Sequence, residues 1–232
     1  DFSRSRGLGD VYKRQQSIAN VIEAMINPGD EVILLAPFWV SYSAMIEICG
    51  GIPVIVKSDI TSNFKVTASK IKDSITSKTK MIIVNSPNNP SGSVYNEHEL
   101  RQIGKMLMNY PKIFVLSDEI YEHINYGVKH FSFASIPELY DRTITVNGVA
   151  KAFAMTGWRI GYLGAPEWLA KACTKLQGQS TSGANCIAQK ATIAALDANV
   201  NQIKYMIDEF RERRELIIAV SYTHLTLPTK LS

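Results

Sequence analysis

Residues 16–35, QSIANVIEAMINPGDEVILL, carry the reading on which the fold turns. Ile18, Val21, Ile22 and Met25 recur at the three- and four-residue steps of a helix with one apolar face. Asn27-Pro28-Gly29-Asp30 then stops that helix, since proline has no amide to continue the ladder and glycine accepts the left-handed backbone of a helix end. The run EVILL follows without polar alternation, as a strand buried on both faces does. Helix, break and buried strand together are the repeating unit of a βαβ chain.

The rest of the sequence keeps this rhythm. Short apolar runs begin at 52 (IPVIV), 81 (MIIV), 113 (IFVL), 144 (ITV) and 160 (IGYL), separated mostly by helix-like segments or loops. With EVILL they predict six strands in a mainly parallel sheet, and hence an α/β three-layer sandwich. Thr67 ahead of ASKIKDSI marks one helix start. Asn96, with Glu99 three residues on, has the spacing of a capping box. Beyond the last strand come EWLAKACTKLQ, ANCIAQKATIAAL and the long amphipathic NQIKYMIDEFRERRELIIA. In this last helix Ile203, Ile207, Phe210 and Ile217 are expected to face inward, and Arg211 to Arg214 to form a solvated face.

Composition narrows the function classes. A chain of 232 residues that is 46% hydrophobic can bury the core of one large domain, or of one domain and a fragment. The net charge is only +4 with both signs interspersed, so a small-molecule ligand is expected, with no nucleic acid and no membrane as partner. Cys49, Cys173 and Cys186 are widely spaced, odd in number and without a C-x-x-C pair, which argues against a disulfide framework or a zinc site and for a reducing cytoplasm; no metal is expected. No apolar run approaches the roughly 20 residues of a membrane span, and no signal peptide is expected. Residues 1–15 and 220–232 lack their neighbours' periodicity and resemble translated sequencing-adapter read-through. They are expected to be non-native tails around a domain at 16–219.

The chemistry gathers behind the strands. In an open parallel sheet, ligands sit beyond the carboxyl ends of the strands. MIIV leads into NSPNNPSG and Asn89, IFVLS into Asp118 and Tyr121, and ITV into NGVA and Lys151. Arg159 stands eight residues past Lys151 in GVAKAFAMTGWRIGY, residues 148–162. Singly, each has a plain reading: Asn89-Pro90-Ser91-Gly92 as a turn, Asp118 as a cap on EIYEH, Tyr121 as packing, Lys151 as a surface loop residue, Arg159 as half of a salt bridge. Together they interlock. A lysine can form an imine with an aldehyde, a buried acid can hold a pyridine nitrogen protonated, amide and phenol groups can bond a phenolic oxygen, and an arginine fork grips phosphate. Pyridoxal 5'-phosphate has all four features. Trp39, in APFWVSY behind EVILL, adds an aromatic face for its ring. His123 and His130 are expected to be structural.

These residues resemble those of the fold-type I pyridoxal-phosphate enzymes, specifically the class I/II aminotransferases, over roughly Gln16 to Ala219. NNPSG is similar to the family's N-P-[ST]-G, SDEIY to its D-x-x-Y, and AKAFAMTGWRIGY to its lysine motif ending in R-x-G-Y. The resemblance implies Lys151 as the imine lysine, Asp118 as partner of the pyridine nitrogen, and Tyr121 and Asn89 as partners of the phenolic oxygen. It further implies Arg159 as phosphate anchor and Trp39 as ring-stacking aromatic. Lys151, Asp118 and Tyr121 would be the catalytic set. The wording is most similar to the bacterial aspartate/prephenate aminotransferase subgroup, which implies transamination between an aspartate-like amino acid and a 2-keto acid by a homodimer. Two alternatives use the same site: β-elimination or C–S lyase chemistry, and a cofactor-sensing domain of a transcription regulator.

The sequence also departs from the family pattern. Lys13 and Arg14 stand where relatives have a glycine-rich phosphate loop, and Gln15 where the subgroup has a lysine. Gly148 and Ala150 replace serines, and the family's small domain is expected to be missing from this chain. The fragment itself is expected to be weakly active or inactive.

Overall fold

The computed structural model describes the backbone of residues 6–11 and 14–225 and the side chains of residues 14–221. Its centre is a seven-stranded sheet in the order β1-β7-β6-β5-β4-β2-β3. The strands are β1 (Arg6–Val11), β2 (Glu31–Ala36), β3 (Ile52–Lys57), β4 (Thr79–Asn85), β5 (Phe114–Asp118), β6 (Thr143–Asn147) and β7 (Gly161–Pro166). The pairs from β3 across β2, β4 and β5 to β6 are parallel, whereas β7 runs antiparallel to both β6 and β1.

All six expected runs are strands. The seventh, β1, lies in the segment 1–15 that sequence patterning sets aside, and it pairs with β7 along its whole length, Arg6 opposite Pro166 to Val11 opposite Gly161. An edge strand needs one pairing partner and no apolar alternation of its own, so its sequence gave no sign of it.

The helices are α1 (Arg14–Met25), α2 (Ser41–Ile48), α3 (Ala68–Asp73), α4 (Glu97–Leu107), α5 (Glu167–Ser180), α6 (Cys186–Asp197) and α7 (Lys204–Leu225), with short 3-10 turns between some elements. Ile18, Val21, Ile22 and Met25 of α1 pack under one face of the sheet with Tyr42, Ile46, Leu169 and Cys173. Leu100, Ile103 and Leu107 of α4 cover the other face with Ile71, Phe133 and Leu139. Two apolar faces of one sheet, each under helices, make the three-layer sandwich. Each fully buried Leu, Ile or Phe among these adds about 1.5–3 kcal/mol of transfer free energy.

Local signals settle the element ends. Gly29 takes φ +89° in the break after α1, and Asn96 and Glu99 exchange both bonds of a capping box at the start of α4. Thr67 caps α3 through Lys70 N–H.

One expectation fails along α7. Ile203 is buried, but Phe210 and Ile217 are exposed, at 41% and 64%. An amphipathic pattern specifies an apolar face without supplying the surface that covers it. The expected short helix EIYEH is a turn instead, held by Glu122 N–H to Glu119 C=O at 2.9 Å and Ile124 N–H to Tyr121 C=O at 2.8 Å.

Candidate active site

Strand direction brings the chemistry to one edge. Asn85 pairs in register with Asp118, Asp118 with Val146, and Asn147 with Tyr162, so the carboxyl ends of β4, β5 and β6 lie in a row. Because β7 runs the other way, its start meets that row, and Arg159 arrives from the segment just before it. The same logic brings in β1, which ends with Val11 opposite Gly161 and delivers Arg14 at the head of α1.

Asp118 is the electrostatic centre of this edge and its side chain is fully buried. Oδ2 accepts from Arg14 Nη1 at 2.6 Å and from the Tyr42 hydroxyl at 2.5 Å. Burial pushes the carboxyl above its ordinary range, and the Arg14 charge with the Tyr42 hydrogen bond draws it part of the way back. Tyr42 is pushed well up, by its own burial and then by the neighbouring carboxylate. For Arg14, burial works against the charge, and Asp118 with Tyr42 and Tyr121 more than restores it, so the guanidinium stays charged.

Hydrogen bonds tie the loops around Asp118 together. Asn85 Nδ2 donates to the Asp118 backbone carbonyl at 2.9 Å, and Asn85 Oδ1 accepts from Asn89 N–H at 2.8 Å. Asn88 reaches across to Pro37 C=O at 3.1 Å, joining the loop after β4 to the loop after β2. Asn88 also accepts from Ser91 N–H and Oγ. These bonds place Trp39 and Asn89 on either side of the strand ends. Trp39 meets Tyr42 edge to face at 5.4 Å, and the Arg14 guanidinium lies 4.5 Å from the centre of its indole.

The opposite rim is the segment from Gly148 to Ile160. Val149 and Ala152 are buried and anchor a single turn that leaves Lys151 exposed between them. Lys151 Nζ lies 5.8 Å from the centre of the Tyr121 ring, within cation–π range. Arg159 has a left-handed backbone, φ +58°, uncommon for a non-glycine residue and a form of strain that clusters at functional sites. Its Nη1 donates to Thr156 C=O at 2.5 Å. Gly148 is fixed by close approach: a Cβ there would lie 3.1 Å from Ile160 O and 3.2 Å from Gly161 Cα, where β6 passes β7. A serine at this position would press on backbone.

The six residues singled out from sequence converge here. Trp39, Asn89, Tyr121, Lys151 and Arg159 line one cavity of about 220 Å³ together with Arg14, Gln15 and Thr156. Asp118 sits beneath it, bonded to Arg14 of its wall. A larger groove of about 740 Å³ adjoins it and shares Asn89 and Tyr121. A further groove, of about 840 Å³, lies along α3 and α4 among Lys72, Gln102, Lys105 and Tyr110, and no acid lines it.

Sequence reasoning missed Tyr42 and Asn85 and read Arg14 only as a departure from pattern. Both Tyr42 and Asn85 occur in stretches already singled out, APFWVSY and MIIVNSPNNP, but only the folded chain shows them meeting Asp118.

Glu119, Glu122 and His130 bring ligand-type atoms within 4.8 Å of one another. Their atoms are engaged: Glu119 accepts from Ser117, Ser132 and Phe133 N–H as well as from His130 at 3.1 Å, and Glu122 accepts from Asn147. These bonds form one hydrogen-bonded network around Glu119. His123 packs edge-on against Phe153 at 6.0 Å.

Fold and site thus define an α/β protein with a ligand crevice at the carboxyl ends of its parallel strands, furnished with a buried acid, an aromatic face, an exposed lysine and an arginine. Residues 15–223 match the family described as aminotransferase class I and II, and the chain belongs to that family. Its members depend on pyridoxal phosphate. The chain is 45% identical over 208 residues to the bifunctional aspartate aminotransferase and glutamate/aspartate-prephenate aminotransferase of Petunia hybrida, covering 88% of this chain and 43% of that protein. It is also 45% identical to the aspartate/prephenate aminotransferase of Nitrosomonas europaea, covering 88% and 52%. Among solved structures, the aspartate aminotransferase of Rhizobium meliloti superposes with a TM-score of 0.90 at 41% identity, over 91% of this chain and 54% of that one. The Thermus thermophilus aspartate aminotransferase with maleate gives 0.87 at 38%, over 93% and 56%. The chain therefore spans about half the length of the relatives it matches. Among the described residues no helix is long and apolar enough to cross a membrane.

Proposed function

We propose that residues 16–219 are the cofactor-binding large domain and the start of the interdomain helix of a pyridoxal-phosphate-dependent aminotransferase that exchanges an amino group between an aspartate-like amino acid and a 2-keto acid. The observation that carries this reading is the gathering of Trp39, Asn89, Tyr121, Lys151 and Arg159 around one cavity, with Asp118 buried at its base. The names of the relatives support transamination over elimination, and maleate on the Thermus enzyme supports a dicarboxylic substrate. Exposed Ile187, Ile193, Leu216 and Ile217 on α6 and α7 support a homodimer in the parent enzyme. Three free thiols among the described residues support a cytoplasmic setting.

The residues present fit the group in kind. Asp118 is an acid at a site dry enough for an ion pair with a ring nitrogen, Trp39 offers a flat face, and Asn89 and Tyr121 flank the place for a phenolic oxygen. Arg159 supplies a guanidinium for phosphate, and Lys151 an amine free to reach an aldehyde. The departure is Arg14, which bonds Asp118 and covers Trp39.

When bound, pyridoxal phosphate supplies an electron sink for the pair left when the substrate Cα–H bond breaks. Asp118, as a buried anion, would hold a proton on the ring nitrogen. Lys151 Nζ would hold the aldehyde end and would serve as general base and acid for the proton at Cα. Tyr121, facing Lys151, keeps that amine on one side of the cavity. Arg159 would hold the phosphate.

Borohydride reduction of the chain after addition of pyridoxal phosphate, followed by peptide mapping, tests the reading. Label concentrated on Lys151, and lost from the cavity in Lys151→Ala, is expected. Label spread evenly over surface lysines of a folded chain would sink it.

A further inference from the structure

We infer that Arg14, although it falls within the segment 1–15 expected to be non-native, competes in this chain with the cofactor ring: its guanidinium is held where the protonated pyridine ring would bind, between the face of Trp39 and the carboxylate of Asp118. The inference rests on the cofactor reading given above. A guanidinium and a pyridinium share the relevant chemistry, for both are flat, cationic, able to stack on indole and able to donate N–H to a carboxylate oxygen. Arg14 uses both contacts at once, with its guanidinium carbon 4.5 Å from the Trp39 ring centre and Nη1 2.6 Å from Asp118 Oδ2.

The carboxylate has little room for a second cationic donor. Oδ2 already accepts from Tyr42 as well as Arg14, and Oδ1 is turned towards the Ile120 amide at 3.4 Å. The Arg14 side chain is only 13% exposed and that of Asp118 is fully buried, so the ion pair fills the base of the crevice.

The contact also answers a need of the helix that carries it. Arg14 is the first residue of α1, and a cation there opposes the positive end of the helix dipole. Asp118 supplies the compensating negative charge. Releasing Arg14 leaves that charge to be met by the ring, so cofactor binding and the Arg14–Asp118 pair exclude each other. A protein whose binding-competent form is a minor one shows its intrinsic affinity reduced by that fraction.

Pyridoxine 5'-phosphate tests this directly, because it carries ring and phosphate but no aldehyde and so separates the ring contact from lysine chemistry. Equilibrium dialysis of the full chain should show Arg14→Gln and Arg14→Gly binding it at least ten-fold more tightly than the parent. The gain should shrink when Asp118→Asn is added, since Arg14 then has nothing to defend. Equal or weaker binding by the Arg14 variants, with circular dichroism unchanged, overturns the proposal, and weaker binding would make Arg14 a ligand of the phosphate.

The parent alone gives a second readout that does not depend on variants folding. The Arg14 Nε–H NMR resonance, protected and shifted by the Trp39 ring, should move to the solvent-exposed range at saturation. A resonance that stays in place overturns the proposal. The two readings fail differently: if parent and variants bind alike and pyridoxal phosphate is still trapped on Lys151, only the competitor falls. If folded parent and variants bind neither compound, the cofactor reading falls and the competitor with it.

Discussion

The two rims of the crevice are built in opposite ways. On the rim formed by the loops after β2, β4 and β5, every polar group that positions Asp118 is itself positioned: Asn85 bonds its backbone, Tyr42 and Arg14 its carboxylate, and Asn88 ties the loop to Pro37. On the rim from Gly148 to Ile160, Lys151 stands exposed on one turn, whose backbone bonds Phe153 N–H to Val149 C=O and Ala154 N–H to Lys151 C=O are both 3.2 Å. Charge held in a dry place needs fixed partners, because reorganising around it costs more than the contact returns. A group that must reach for its target and then withdraw is served by the looser setting. The comparison implies that substitutions on the first rim act mainly on stability and those on the second mainly on chemistry.

The strongest way to break that contrast is to remove its anchor. Asp118→Ala leaves the Arg14 guanidinium and the Tyr42 hydroxyl buried without their common acceptor, and losing one partner of a buried pair typically costs about 3–5 kcal/mol. Denaturant unfolding of the full chain should show a loss in that range. Lys151→Ala, on the exposed turn, should change the same measurement by no more than about 0.5 kcal/mol while abolishing cofactor trapping. Comparable losses in both variants would mean the rims do not differ as described.

A smaller effect is expected at the joint between the rims. Gly148 follows β6 at the point where the chain leaves the well-bonded sheet for the Lys151 turn, and its missing side chain lets Ile160 and Gly161 approach. Gly148→Ser puts a Cβ and hydroxyl against that backbone. Overpacking of this kind costs about 1–3 kcal/mol, and thermal melting should register it. A melting temperature equal to the parent's would show that β7 yields, and that the second rim is looser than drawn here.

The contrast also explains what could be read from the sequence. Strands and the first helices were legible because burial writes period and composition into them: Ile18, Val21, Ile22 and Met25 are all buried as their spacing requires. Asn89, Asp118 and Lys151 were legible because a site at the carboxyl ends of parallel strands must use residues that directly follow strands. Arg14 and Tyr42 were not, since their bonds to Asp118 span 104 and 76 residues and leave no local pattern. Strand β1 was hidden because pairing to one neighbour makes no demand on its side chains. The exposure of Phe210 and Ile217 was hidden because an apolar face announces burial without naming what buries it.

The smallest effect expected lies behind the first rim and tests whether its order extends beyond Asp118. His130 is paired with Glu119, itself held by Ser117 and Ser132. A carboxylate can only accept, so the His130 Nε2 donates. Burial works against the charged imidazole, but the bond to Glu119 and the nearby charge of Glu122 outweigh it, leaving the pKa above its ordinary value of 6.5. A raised folded-state pKa means that the charged ring stabilises the native state. That contribution is complete below the unfolded value, near 6.5, and is lost as pH rises through the higher folded value. The parent should therefore lose stability as pH rises above about 6.5 relative to His130→Gln, by an amount on the order of 1 kcal/mol or less for a pair still partly open to solvent. Melting temperatures of both proteins across that rise measure the difference. Parallel pH profiles would show that Glu119 is fixed by its serine and amide partners alone, and that the ion pair plays no part in ordering this side of the crevice.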